Sequence, residues 1–90
     1  MMNIYKYPLE LKVEQKLNIN LVKVLDIQIQ NNTPVLWSIV DSDIGKCEQS
    51  AIIVYCFGTG TSDVDLYKHL DLNYISSTQI NGFVFHWFYR

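Results

Sequence analysis

The chain has 90 residues, 49% apolar and 18% charged, with 7 Lys and Arg against 9 Asp and Glu for a formal charge of −2. That composition describes one folded domain over 1–90 rather than a disordered chain; at this size about 60–65% of the unfolded surface is buried, so the core margin is modest and a homo-oligomer is expected. Lysines standing singly at 6, 12, 16, 23, 46 and 68 argue against a nucleic-acid-binding stripe, no apolar run reaches the ~20 residues of a membrane span, and no export signal precedes the first polar residues.

Asn3 to Tyr7 reads as a short edge strand, with Tyr5 and Tyr7 on one face, Ile4 and Lys6 on the other, and Pro8 closing it. Glu14 to Leu21 alternates as a half-exposed strand, Leu17, Ile19 and Leu21 facing inward. From Val22 to Gln30 the apolar parity changes between Val24 and Ile27, which predicts a β-bulge near Leu25 and Asp26. Asn31-Asn32-Thr33-Pro34 is a turn, and Val35 to Asp41 returns as the second arm of a hairpin centred on Trp37. Asp41 to Gln49 is a polar loop. The Asp41 and Asp43 spacing opens like a calcium loop, but the downstream acids and closing Glu are missing, so no metal is assigned. Cys47 and Cys56 match no zinc pattern and read as two free thiols in a reducing compartment, a cytoplasm.

Ala51 to Thr61, AIIVYCFGTGT, is the stretch around which the rest is organised. Both parities from Ala51 to Phe57 are apolar, which predicts a strand buried on both faces. Gly58 and Gly60 then allow a sharp turn, and Thr59 and Thr61 add hydroxyls. After the turn, Ser62 is placed to cap a short helix from Asp63 to about Leu70, with Asp65 in the third helical position. Leu72 to Ile80 is a penultimate strand, Asn81-Gly82 a type I′ hairpin signal, and Phe83 to Tyr89 the final strand. Its parity puts Phe83, Phe85, Trp87 and Tyr89 on one face and Val84, His86 and Phe88 on the other. An aromatic row of this kind serves as core, as a subunit interface or as a stacking surface. The fold expected is mainly β, a compact antiparallel sandwich or partly open barrel of about six or seven strands with one short helix.

Ile4-Tyr5-Lys6-Tyr7, the Gln30 to Trp37 hairpin followed by Val40-Asp41, Gly58-Thr59-Gly60, Tyr74-Ile75 with Gln79, and the closing Phe83-Val84-Phe85-His86-Trp87-Phe88 carry a resemblance. Across nearly the whole chain they look like a family of small uncharacterised proteins of tailed phages and prophages. Thr61 stands where members often have His. The resemblance implies a phage origin and action in the cytoplasm of an infected bacterium, and it implies no activity, cofactor or catalytic residue.

The residues themselves supply no nucleophile elbow, no paired carboxylates and no nucleotide fingerprint, so an enzyme is not expected. His86, beside Val84 and Phe88, reads as a hydrogen-bonded residue of the core rather than an acid–base catalyst. Two binding readings follow. In the first, the chain counters host defence by sequestering a phosphate-bearing nucleotide signal. Gly58, Thr59, Gly60 and Thr61 would offer amides, Trp37 and Trp87 stacking faces, and Lys6, Lys68 or Arg90 the balancing charge. In the second, it is a protein-interaction module that inhibits a host enzyme through an aromatic or edge-strand surface, without a small ligand.

Overall fold

Alternating apolar residues punctuated by turn signals build seven strands, and the computed structural model describes the chain over residues 1–42 and 51–90. Asp43 of the calcium-like spacing and Cys47 lie outside the described residues. The strands are β1 (Met2–Pro8), β2 (Glu14–Asn18), β3 (Leu21–Gln30), β4 (Thr33–Asp41), β5 (Ala51–Gly58), β6 (Asn73–Ile80) and β7 (Phe83–Tyr89). They pair antiparallel in two sheets, ordered β1-β4-β3 and β2-β5-β7-β6. The sheets are not closed into a barrel, and their inner faces share one core. Ile27, Leu36 and Val40 come from the first sheet, Ile52, Val54, Cys56 and Trp87 from the second, and Leu9 and Ile19 from the connections. Each large aliphatic or aromatic side chain buried this way stabilises the fold by roughly 1.5–3 kcal/mol.

β5 is interior in its sheet and buried on both faces, as its doubly apolar run requires. Ile52, Val54 and Cys56 face the core. Tyr55 and Phe57 face the other way and are covered by Tyr67, whose ring lies 4.9 Å from Tyr55 and 5.6 Å from Phe57. Phe88 closes the cover at 5.7 Å from Phe57. The Arg90 Nε donates to the Tyr55 hydroxyl at 2.8 Å, so the one polar atom of that buried ring is satisfied.

Both hairpins turn over two residues. Gln30 faces Thr33 across Asn31 and Asn32, whose φ values are 50° and 62°. Ile80 faces Phe83 across Asn81 and Gly82, with φ values of 52° and 83°. These are the left-handed pairs that match strand twist in a type I′ turn. The first turn is thus tighter than the four-residue turn expected, because Thr33 and Pro34 already pair in β4.

Four expectations change. The alternating stretch from Glu14 to Leu21 is not one strand: β2 ends at Asn18 in one sheet and β3 starts at Leu21 in the other. Alternation continues because both sheets need their inward residues at the same core. The bulge predicted near Leu25 is present between Val24 and Asp26, but a second shift between Leu21 and Lys23 turns Val22 outward. The helix after the glycines is a 3-10 helix over Asp63–Tyr67, wound by Asp65 N–H donating to the Ser62 carbonyl at 3.0 Å. Ser62, at φ −98° and ψ 7°, makes no side-chain cap because its backbone lacks the extended geometry a cap needs. Trp87, finally, is not a surface aromatic. It is 0% exposed, and its indole N–H donates to the Thr78 hydroxyl at 2.9 Å.

Two predictions follow from this core. Trp87→Ala removes the largest fully buried side chain and is expected to cost about 3–5 kcal/mol, so it should unfold a large share of the protein in urea titrations rather than merely alter assembly. Ser38 is buried with its hydroxyl lacking any hydrogen-bond partner. Ser38→Ala should therefore raise the unfolding free energy by about 1 kcal/mol, and a loss of that size would show that the hydroxyl is satisfied.

Candidate functional site

The turn that leaves β5 is wound by its own atoms. Thr61 N–H donates to the Gly58 carbonyl at 3.2 Å, and the Thr61 hydroxyl donates to the same carbonyl at 2.9 Å. Gly60 sits at φ +86°, where a side chain is strained. Thr59 N–H donates to the Val84 carbonyl at 3.0 Å, tying the turn to β7. The amides of Thr59 and Thr61 are thus spent inside the fold, and a phosphate cradle would have to form without them. A Cβ built on Gly60 meets nothing within 4 Å, so a Gly60→Val change would act through backbone strain.

The turn separates two different surfaces. On the side of the 11–13 segment, Gly58 and Thr61 border a cleft of about 150 Å³ with Leu11, Val13, Cys56 and Phe85. Lys12 and Asp63 also line it, and the Lys12 ammonium is paired with Glu10 at 2.9 Å. A nucleotide-sized ligand needs roughly 300 Å³ or more. The cations proposed to balance a phosphate are elsewhere: Lys6 Nζ lies 5.8 Å over the Trp37 ring, Lys68 pairs with Asp65, and Arg90 serves Tyr55. Trp37 is on the outer face of the β1-β4-β3 sheet, opposite in parity to core-facing Leu36 and Val40. Of the six residues proposed for a ligand site, then, the four turn residues stay together. Trp37 and Trp87 are not brought to them.

The other surface is the outer face of the β2-β5-β7-β6 sheet, where the turn meets a chain of polar side chains that sequence reasoning missed. Thr59 Oγ1 lies 2.7 Å from His86 Nε2, His86 Nδ1 lies 2.8 Å from Ser77 Oγ, and Ser77 Oγ lies 2.8 Å from the Tyr74 hydroxyl. Register explains the alignment, since His86 faces Phe57 of β5 on one side and Ser77 of β6 on the other. A bulge between Tyr74 and Ser76 then brings Tyr74 onto the face of Ser77. Which group donates at each link is set by which ring nitrogen of His86 carries a proton. His86 is therefore hydrogen-bonded as expected, but on the outer face and not in the core.

Among the described residues, no cluster of three or more His, Cys, Asp or Glu could hold a metal, and no helix is long and apolar enough to cross a membrane. Burial pushes the Cys56 thiol up to about 11, so it is protonated and unreactive at neutral pH. With Cys47→Ser to leave one thiol, iodoacetamide at pH 8 should modify Cys56 roughly 100-fold more slowly in the folded chain than in urea. The folded thiol holds its proton more tightly than the unfolded one, so its contribution to stability is intact below about pH 9 and is lost as pH rises toward 11.

No curated protein and no solved structure matches the chain. A family model described as "Domain of unknown function (DUF7352)" matches residues 1–90, all seven strands included, and the chain belongs to that family.

Proposed function

We propose that this chain acts by stoichiometric association with another protein, through the outer face of the β6–β7 hairpin. The observation that carries this reading is Tyr74. The residue is 58% exposed, yet its hydroxyl is held by Ser77, Ser77 by His86, and His86 by Thr59 of the glycine turn. An exposed aromatic that is already ordered loses less freedom on binding, and each such side chain is worth about 0.5–1.5 kcal/mol of avoided ordering cost. Its ring also packs edge-on against Phe88 at 5.5 Å, and Val84 is exposed beyond His86 on the same face. An exposed aromatic that is already ordered, with an aliphatic neighbour on the same face, supplies the kind of anchor that dominates protein-binding patches.

The resemblance to small tailed-phage proteins points to a bacterial host protein as the partner and to the infected cell's cytoplasm as the place of action. On this reading the glycine turn is a support for His86 rather than a ligand cradle. The sequestration of a nucleotide has weaker support, since the cleft is small and the amides of Thr59 and Thr61 are engaged.

A photo-crosslinking residue at position 74, introduced in the chain within a phage-infected bacterial lysate, should capture one host polypeptide in a one-to-one complex, while the same residue at Lys16 should not. Against that purified partner, Tyr74→Ala and Val84→Asp should each weaken binding by about tenfold or more, and Ser77→Ala by roughly two- to tenfold with folding unchanged. If position 74 captures nothing, and a nucleotide instead gives heat that Thr61→Ala abolishes, the nucleotide reading takes its place.

A further inference from the structure

The sheet edges of this fold are not equivalent. β2 is short and carries Glu14 and Lys16. β3 is bent by two register shifts and lies against β6, where the Ser76 hydroxyl donates to the Ile27 carbonyl at 3.0 Å. Charges, bulges and coverage are the devices that keep edges from pairing with other chains. β1 has few of them. It runs Met2–Pro8 without a register shift, pairs with β4 on one side, and among the described residues has no strand on the other.

The hydrogen bonds at its two ends show which groups the open edge presents. Ser42 N–H donates to the Met1 carbonyl at 3.0 Å, and Leu9 N–H donates to the Pro34 carbonyl at 2.8 Å. In an antiparallel ladder the direction alternates, so the odd residues of β1 address β4 while Met2, Ile4 and Lys6 turn their N–H and C=O groups outward. The same residues place their side chains on the outer face beside Ile39 and Trp37. Met2 is 64% exposed and Ile4 60%.

We propose that this edge recognises itself: two copies pair β1 with β1, antiparallel, about a twofold axis at Ile4, and join their three-stranded sheets into one. The new ladder must match even residues with even residues, because those carry the outward groups. An axis at Ile4 sets Ile4 against Ile4 and Met2 against Lys6, so every outward N–H of the strand finds a carbonyl. An axis at Lys6 opposes like charges and brings in Pro8, which has no N–H to give. An axis at Tyr5 also brings in Pro8, opposite Met2, and an axis nearer the strand's start leaves Lys6 outside the ladder. At Ile4 the two lysines stand about 14 Å apart along the strands, beyond the screening length of roughly 8–10 Å. Met2 lies along the apolar stem of the facing Lys6. Each Lys6 is already held on its own outer face by Gln30 and the Trp37 ring. Contacts of this kind make a symmetric, self-complementary pair.

This interface shares no residue with the Tyr74 face, so the two stand or fall separately. Sedimentation of the wild-type chain at tens of micromolar should return twice the 10.5 kDa monomer mass. Ile4→Lys sets like charges on the axis and should raise the dimer dissociation constant about tenfold or more, while its circular dichroism stays that of the wild type because the side chain is exposed. As a second readout, Ile4→Cys should cross-link to a disulfide dimer on mild oxidation, since facing Cα atoms in such a pair are ~5.5 Å apart and a disulfide accepts that separation; the wild type and Tyr5→Cys should not. A monomeric wild type, a dimer that persists in Ile4→Lys, or an Ile4→Cys chain that stays unlinked overturns the proposal.

Discussion

Trp87 holds the two halves of this molecule to one geometry. Its ring fills the core between the sheets, its backbone pairs with Cys56 of β5 and Ser76 of β6, and its indole N–H is spent on Thr78. A large ring with one polar atom fits a core in a single orientation when that atom has a fixed partner. With Trp87 pointing inward, parity sends His86 and Phe88 outward. The aromatic cover over Tyr55 and the hydroxyl–imidazole chain are both consequences of that one choice.

The outer face then divides by what lies above it. Where Tyr67 of the 3-10 helix reaches over, Tyr55 and Phe57 are sealed. Beyond its reach the face stays open, and the side chains there are polar where they touch one another and apolar at the margins. Thr59 links the two zones, since its amide fixes the turn to β7 and its hydroxyl fixes His86. The turn thus braces both β7 and His86.

Most of the fold is legible in the residues because its signals are local. Asn-Gly and Asn-Asn turns, the alternation of β7 and the double burial of β5 depend on neighbours a few positions apart. The change of sheet between Asn18 and Leu21 is not legible, because Leu17, Ile19 and Leu21 stay in phase with the core on both sides of it. The Ser62 cap failed for a related reason: the residue types suit an α-helix, but Tyr67 must land on Tyr55 and Phe57 within five residues, and a 3-10 winding gets it there. The candidate site was half legible. Gly58 to Thr61 could be marked as a turn from composition, whereas Ser77 and Tyr74 join His86 through cross-strand register and a bulge at residue 75, which no spacing within the sequence displays.

The two-residue turns set a rule for how this chain can change in length. Each hairpin is pinned at its closed end, β3–β4 by Asn31-Asn32 and β6–β7 by Asn81-Gly82. A single inserted residue there would shift one arm by one position, and a one-position shift exchanges the faces of every side chain on that arm. In β7 it would carry Trp87 into water and His86 into the core. A change of length is therefore better tolerated in connections such as residues 9–13 and 59–72 than at either hairpin, where only substitution preserves the faces.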